Sequence, residues 1–301
     1  MPDAGVSEKV EGFRFRKLEK PEEFRQVAEV ERSVYGPESS GLAPPVPMQR
    51  ALQDNGGLIL GAFADIYLAG ATASTLGWDG TTLYHYSLLT AVRPEYQNHH
   101  LGTQLKLAQR DEVLRLGLHE VRWVLDPLSS RAASLHVRRL GARPDRYYPH
   151  YFGQLGDAVN QGLETDRVRV VWTLDAPEVE RRVGGQHPTA DEDRRRWDRS
   201  SPIVETEPGD TGIRIPSAVG EPTEPSAHLE IPFDLALVRQ HEPAALRRWR
   251  HAVRDAFRIA SDLGYVVDDF AVVSPEHERR SFFFLTRSPP GTADRPPDPP
   301  T

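Results

Sequence analysis

The stretch that decides the fold is residues 91–105, which read AVRPEYQNHHLGTQL. The apolar residues before Pro94 close a buried strand, and the residues from Leu101 onward open a helix. A strand that passes through a tight turn into a helix leaves backbone N–H groups unpaired at the positive end of that helix. The sequence therefore predicts an anion site at this turn, where His99 and His100 could add hydrogen bonds to a phosphate.

The histidine pair admits two other interpretations. An exposed loop pair without a ligand is as consistent with the sequence as a phosphate contact. Metal binding is not expected, because no third ligand lies at the spacing of a zinc site.

Strand-like and helix-like patterns alternate around this stretch, over residues 13–174. The predicted order is β-α-α-β-β-β-α-β-α-β-β, which indicates an α/β (α+β) fold with a mixed, mostly antiparallel sheet flanked by helices. The helix that opens at Leu101 ends at Gly117. Its apolar residues recur at helical spacing, and they are Leu101, Leu105, Ala108, Val113 and Leu116.

Composition changes after residue 174. Residues 175–227 are rich in Arg, Asp, Glu, Pro and Gly and poor in large apolar residues. This predicts a charged, Pro-rich linker or surface excursion with a short hairpin, residues 203–204 against 213–215.

Regular patterning returns in residues 228–288, which predict a smaller C-terminal βαββ domain. Its helix has one apolar face, formed by Leu246, Trp249, Val253, Phe257, Ala260 and Leu263. Residues 289–301 are Pro-rich and predict a disordered tail. The predicted domains are 1–174, 175–227, 228–288 and 289–301.

Composition excludes several classes of function. The formal charge of -7 argues against general affinity for nucleic acid, since no basic excess exists to displace counterions. The chain has no cysteine, which excludes disulfides, thiolate metal sites and a cysteine nucleophile. No apolar run approaches the roughly 18 residues of a membrane helix, so no membrane partner is expected and cytoplasm is the expected location. Motifs of NTPases, zinc proteases and serine hydrolases are missing from the sequence.

The turn at 97–102 resembles the pyrophosphate loop of the GNAT superfamily, Arg/Gln-x-x-Gly-x-Gly/Ala. Gln97 and Gly102 match that pattern, and His100 stands where the first glycine is expected. Other stretches are similar to a GNAT subgroup with a C-terminal extension. These stretches are LKLAQR at 105–110, DPL at 126–128, RLGA at 139–142, NQGLETDR at 160–167 and IPFD at 231–234.

The resemblance covers most of the chain and implies a GNAT-like fold that binds acetyl-CoA or succinyl-CoA as co-substrate, with no metal. It implies that the strand before the loop presents backbone groups to the thioester and pantetheine. The cofactor-binding residues that it implies are Leu89, Thr90, Ala91, Val92, Gln97, Asn98, His99, His100, Leu101, Gly102, Thr103 and Gln104.

In GNAT enzymes the amine attacks the thioester directly, so the site needs a proton acceptor and a proton donor. Many relatives use a tyrosine as donor, at the position that Val137 occupies here. Tyr148 and Tyr151, with Tyr147 beside them, are the alternative donors on the next strand. The candidate bases are His85 and Glu95. A chain of water molecules could serve equally well as the base.

A substrate carboxylate would favour a guanidinium that can bind it with two hydrogen bonds. Arg167 is the first candidate for substrate binding and Arg131 the second, with Asp166 placed to orient Arg167. A structural ion pair between Arg167 and Asp166 is the alternative. A basic stripe predicts a solvated face or pairs with the chain's own acids, and it consists of Arg247, Arg250, Arg254 and Arg258.

The resemblance thus implies an N-acyltransferase that moves an acetyl or succinyl group from CoA to the amine of a small molecule. Some members of the resembled subgroup are N-succinyltransferases that act on amino acids. One alternative is a non-catalytic CoA-binding or assembly module, which His100 and Val137 favour. Another is an acetyltransferase that modifies proteins. The C-terminal domain could complete the substrate pocket, mimic a second GNAT half or form a homodimer contact.

Overall fold

The computed structural model of the chain describes residues 12–38, 41, 43–275 and 278–288. The chain forms two compact units whose segments alternate in sequence. Of the described residues, the first unit comprises those up to 123, 155–161 and 173–176, and the second comprises 124–154, 162–172 and those from 177 onward. The tail predicted at 289–301 lies outside the described residues.

The first unit is a sheet with helices against it. Its elements are β1 (Arg14–Lys17), α1 (Pro21–Tyr35), α2 (Val46–Asp54), β2 (Leu58–Ala64), β3 (Tyr67–Trp78), β4 (Leu83–Val92), α3 (Leu101–Arg115) and β5 (Glu120–Leu125), whose last two residues belong to the second unit. The strand order is β1-β2-β3-β4-β5. The first three pairings are antiparallel and the β4–β5 pairing is parallel. This mostly antiparallel, helix-flanked sheet confirms the predicted fold class.

Two apolar clusters hold the helices of the first unit on the sheet. Helix α1 opens with Pro21, which suits a first helical turn, and buries Phe24 and Val27 in one cluster with strand residues. Helix α3 contributes Leu101 and Leu105 to a separate cluster. Each helix thus anchors through side chains three or four residues apart, which lie on one helical face.

The second unit contains the remaining elements. They are α4 (Ser130–Ala133), which continues as a π-helical turn (Ser134–Arg139), β6 (Arg143–Tyr148), β7 (Arg167–Thr173), α5 (Pro177–Val183), α6 (Ala190–Asp198), β8 (Ser201–Pro202), β9 (Val204–Pro208), β10 (Arg214–Val219), β11 (Ser226–Ile231), α7 (Leu235–His241), α8 (Ala245–Asp262), β12 (Tyr265–Val273) and β13 (Arg280–Arg287). Strands β6 and β7 pair antiparallel. A second sheet has the order β12-β13-β11-β8.

The apolar face predicted for helix α8 is largely buried in the second unit. Leu246, Trp249, Val253, Phe257 and Ala260 are all buried. The predicted βαββ order recurs as β11, α8, β12 and β13, with the short helix α7 added.

Residues 175–227 are more regular than the predicted linker, because they contain α5 and α6 and three short strands. Helix α6 begins with a capping box between Thr189 and Glu192, a local signal for a helix start. Trp197, near its end, packs against the buried cluster that contains Phe282 and Phe284. One aromatic residue therefore anchors a helix that composition alone describes as solvated. The hairpin is β9 with β10, but the predicted register is wrong. Val204 pairs with Val219, and Ile215 pairs with Glu207, because the turn lies between residues 208 and 214.

None of the helices in the part of the chain that the structure describes combines the length and apolarity needed to cross a membrane.

Candidate functional site

In the first unit, β4 and β5 separate soon after they meet. Their register pairs His85 with Val121 and Tyr86 with Arg122, and no further β4–β5 pair follows within the described residues. Beyond Tyr86 the β4 edge continues to Val92 without β5. We call the point where β4 passes Tyr86 and β5 passes Arg122 the fork. A strand edge freed in this way offers N–H and C=O groups to an extended ligand.

A β-bulge lies just past the fork. Ser87 pairs with Ser74 of β3 and Leu89 pairs with Ala73, so Leu88 is an extra residue in β4. A bulge leaves its extra residue out of the ladder and bends the strand locally. The backbone at Leu88 is thus redirected where the free edge begins.

The turn after β4 is held by its own hydrogen bonds. The backbone N–H of Tyr96 donates to the Arg93 carbonyl at 3.0 Å, and that of Gln97 donates to the Pro94 carbonyl at 3.2 Å. The side-chain amide of Gln97 donates to the Val92 carbonyl at 2.9 Å. These bonds fix the direction in which the chain enters α3.

His100 adopts the backbone conformation that a glycine would supply at its position. Its φ is 59° and its ψ is 9°, in the left-handed region, and Asn98 also has a positive φ, 68°. Residues that alternate between left-handed and right-handed backbone conformation point their successive N–H groups toward one concave site, which suits an anion. The loop therefore keeps the shape of the glycine pattern although it lacks the first glycine.

The N-terminal end of α3 completes this loop. No side chain caps the helix, and its first backbone bond runs from the Gln104 N–H to the His100 carbonyl at 3.0 Å. The N–H groups of Leu101, Gly102 and Thr103 precede the first residues that have an acceptor within the helix. Together with the positive helix end they fit a diphosphate group.

Valine at position 100 should destabilise the fold by about 1–2 kcal/mol, because a β-branched residue tolerates a positive φ poorly. The matched control is His99→Val, since His99 is exposed and is not among the residues with positive φ. That change should stay within about 0.5 kcal/mol of the parent. Chemical denaturation of both variants measures the difference. Equal stability of the two would contradict a strained residue 100.

A buried lysine lies at the fork, and sequence reasoning missed it. Lys106 of α3 is 1% exposed. Its Nζ donates to Gln109 Oε1 at 2.9 Å and to Ser87 Oγ at 3.2 Å, and it lies 3.9 Å from the ring centroid of Trp123. Burial lowers the pKa of the Lys106 ammonium to about 7. The available signal was the scarcity of lysine in an arginine-rich chain.

Of the two predicted bases, His85 lies near the start of β4 and Glu95 lies in the turn after its end. His85 is 0% exposed, and its Nδ1 lies 3.1 Å from Ser74 Oγ. Burial lowers the pKa of His85 to about 4, so its ring is neutral and a weak base. Glu95 is exposed in the turn that follows the other end of the strand. His85 thus lies beside the fork but is a weak base, whereas Glu95 lies beyond the far end of β4.

The predicted proton donors belong to the second unit. The rings of Tyr148 and Tyr151 lie 5.2 Å apart, and Tyr151 is exposed. Tyr147 instead donates its hydroxyl hydrogen bond to Asp166 at 2.6 Å. Burial, and next this hydrogen bond, raise the pKa of Tyr147 above its ordinary value. Val137, in the place of the relatives' tyrosine, is buried in the π-helical turn.

The two arginine candidates for substrate binding differ in setting. Arg167 is buried and donates to the backbone carbonyl of Asp166 at 2.8 Å, with Asp126 at 3.9 Å. The Asp166 carboxylate pairs with Arg254 instead, at 2.7 Å. Asp166 therefore contacts Arg167 through its backbone carbonyl, while its carboxylate binds Arg254. Arg131 is exposed on α4.

One cluster has the composition of a metal site. His150, Glu164 and Asp166 offer ligand atoms within 4.8 Å of one another. The Arg254 guanidinium makes ion pairs with both carboxylates. These pairs account for the cluster as part of the charge network of the second unit.

No family model and no curated protein matches this sequence. Among solved structures, the chain is similar to the ribosomal-protein-S5-alanine acetyltransferase from Vibrio fischeri, with 15% identity and a TM-score of 0.45 over 57% of this chain and 98% of that one. It is also similar to the ribosomal-protein-S18-alanine N-acetyltransferase from Escherichia coli, with 15% identity and a TM-score of 0.43 over 54% and 94%. An acetyltransferase of the GNAT family from Streptococcus pneumoniae shows 17% identity and a TM-score of 0.41 over 53% and 97%.

Proposed function

We propose that the chain is an acyl-CoA-dependent N-acyltransferase of the GNAT kind, which transfers an acetyl or succinyl group to the amine of a small molecule such as an amino acid. The observation that carries this proposal is the continuity of three features in the first unit. The free β4 edge, the bulge at Leu88 and the left-handed loop at His100 follow one another within residues 87–104.

These features fit the two polar parts of coenzyme A. The pantetheine amides can add to the free β4 edge at residues 89–92 as a further strand would. The diphosphate suits the loop and the first turn of α3, where N–H groups and the helix dipole favour negative charge. The residues present therefore fit acetyl-CoA or succinyl-CoA as acyl donor.

The reaction needs little more than positioning and proton transfer. The amine nitrogen attacks the thioester carbonyl carbon, an amide bond forms, and the bond from carbon to sulfur breaks. Backbone N–H groups at the bulge can donate to the carbonyl oxygen as its charge develops. The sulfur leaves with a proton, for which Tyr148 and Tyr151 stay the proposed donors. Arg167 and Arg131 stay proposed contacts for a substrate carboxylate.

A screen for thiol release tests the activity. Acetyl-CoA and succinyl-CoA are each crossed with amino acids of both hands and with protein lysines as acceptors, and acyl-CoA binding is measured separately by calorimetry. Thiol release with a free amino acid supports the proposal. Binding without turnover identifies a CoA-binding module, and turnover with proteins alone identifies a protein-modifying enzyme. If the protein does not bind acetyl-CoA at millimolar concentration, the proposal is wrong.

A charge placed in the first turn of α3 tests the diphosphate site. Thr103→Glu should raise the dissociation constant of CoA by at least about tenfold, since a carboxylate beside the loop repels the diphosphate by more than 1.4 kcal/mol. The helix itself should tolerate an acid at its N-terminal end. Thr103→Gln has the same size without the charge and should bind CoA nearly as the parent does. Equal affinities of the two variants for CoA would show that the diphosphate does not bind at this turn.

A further inference from the structure

Lys106 lies at the fork itself. Ser87 is the β4 residue directly after the last residue paired with β5, and Trp123 is the β5 residue directly after the last one paired with β4. The Lys106 Nζ is 3.2 Å from Ser87 Oγ and 3.9 Å from the Trp123 ring centroid. The amine therefore contacts one side chain of each strand at the point where the two strands part.

The groups that face this amine are neutral. They are Ser87 from β4, Gln109 from α3 and Trp123 from β5. No carboxylate among the described residues forms an ion pair with Lys106. The nearest titratable side chains along the two strands have other contacts, since His85 bonds to Ser74 and Arg122 pairs with Asp79. Burial away from any of these charges disfavours the protonated form of the amine.

Position 106 holds a lysine in a chain whose other basic residues are almost all arginine. The chain has 37 lysines and arginines together, and the lysines are Lys9, Lys17, Lys20 and Lys106. Lys106 is thus the only lysine after residue 20, in a chain that uses arginine at every other basic position beyond it. A guanidinium stays protonated in proteins, whereas a buried amine can lose its proton. A group that must exchange a proton at this place has to be a lysine rather than an arginine.

We propose that Lys106 is the proton acceptor for the incoming amine, with the Ser87 hydroxyl as the relay between them. In this step the substrate ammonium gives a proton to Ser87 Oγ, and the Ser87 hydroxyl gives its own proton to the neutral Lys106 Nζ. The freed nitrogen lone pair then forms the amide bond as the thioester carbon releases sulfur. Protonated Lys106 returns its proton to solvent after the product leaves. This inference rests on the proposed acyltransferase function.

The test compares Lys106→Met with Lys20→Met in the full chain, using acetyl-CoA and the amino acid that gives the highest thiol release in the screen. Lys106→Met should bind acetyl-CoA within about threefold of the parent but turn over roughly 10²–10⁴ times more slowly. Lys20 is exposed, and its replacement should leave turnover unchanged. Lys106→Gln serves as a second variant if the methionine variant does not fold.

The pH profile separates proton transfer from a purely structural role. In the parent, kcat/KM should rise up to pH about 7 and then level off, because neutral Lys106 accepts the proton of a bound ammonium. In Lys106→Met the residual rate should keep rising until the amine has lost its proton in solution. Lysine labelled with ¹³C at Cε gives few signals in this chain, and one of them should titrate near pH 7 and vanish in Lys106→Met.

The outcomes distinguish the two proposals. Full turnover in Lys106→Met, or the same pH profile in both proteins, overturns the role of Lys106 and leaves the acyltransferase proposal standing. A lysine spectrum in which every signal titrates at the ordinary lysine value also overturns it. A parent protein that binds no acetyl-CoA and releases no thiol with any amine overturns the acyltransferase proposal, and the role of Lys106 falls with it.

Discussion

Replacement of Arg250 by methionine should lower the free energy of unfolding by about 3–5 kcal/mol. Arg250 is 1% exposed and binds Asp126 through two parallel hydrogen bonds, of 2.8 and 2.9 Å. Without the guanidinium, the Asp126 carboxylate would remain largely buried, with Arg167 at 3.9 Å as its remaining ion-pair contact. An unpaired buried charge costs far more free energy than the intact ion pair contributes to stability.

Three further variants check this reason: Arg247→Met, Asp126→Asn and the double variant. Arg247→Met changes an exposed arginine of the same helix and should alter stability by less than about 0.5 kcal/mol. Asp126→Asn combined with Arg250→Met removes both charges, and its loss of stability should be clearly smaller than the sum of the two single losses. Denaturant unfolding of the parent and of the four variants, which include Asp126→Asn alone, measures these differences. Additive losses would show that Arg250 and Asp126 act independently.

The contacts of Arg250 also show how much of α8 can be predicted from its sequence pattern. Helical spacing predicts the buried face correctly from Trp249 and Phe257, because apolar residues at a 3.6-residue period must face the core. The same spacing groups Arg250 with the exposed Arg247 and Arg258. Whether an arginine is solvated or paired depends on an acid 124 residues away in the chain, which no local pattern contains.

Helix α3 shows the same limit at the candidate site. The apolar period predicts a buried face from Leu101 to Leu116, yet Leu116 is exposed at 48% while Lys106 and Gln109 are buried. Lys106 is buried where it contacts Ser87 and Trp123 at the fork, and these contacts exist only in the folded sheet. Sequence patterns assign charged residues to the surface, because lysine is rarely buried. A buried lysine therefore cannot be predicted from the pattern.

The loop was the part of the site most open to prediction. Its turn residues and helix start are local signals, and the sequence alone indicates an anion site at 97–104. The bulge at Leu88 gives no comparable signal, since the run from Leu83 to Val92 describes an ordinary buried strand. Its position follows from register with β3, which is a property of the folded sheet. The fork with β5 depends on the same non-local pairing.

Lys106→Met should make the protein more stable near neutral pH, in contrast to Arg250→Met. Burial lowers the pKa of Lys106 from 10.5 in the unfolded chain to about 7 in the folded one. Between these values the unfolded chain binds more protons, so the stability of the parent rises with pH across this window. Below pH about 7 both states hold the proton, and the folded state bears the full cost of burying the charge. That cost amounts to about 4–5 kcal/mol.

Methionine fills the space of the lysine side chain without a charge, so its stability should not follow this curve. At pH 6 the variant should exceed the parent by up to about 4–5 kcal/mol, and the gap should close as pH rises from 7 to 10.5. Unfolding measured from pH 6 to 10 on both proteins gives the difference curve, in which all other titrating groups cancel. Lys20→Met, which replaces an exposed lysine, is the matched control. A parallel curve for Lys106→Met would mean that the amine keeps its proton when folded, and it could then accept none from a substrate.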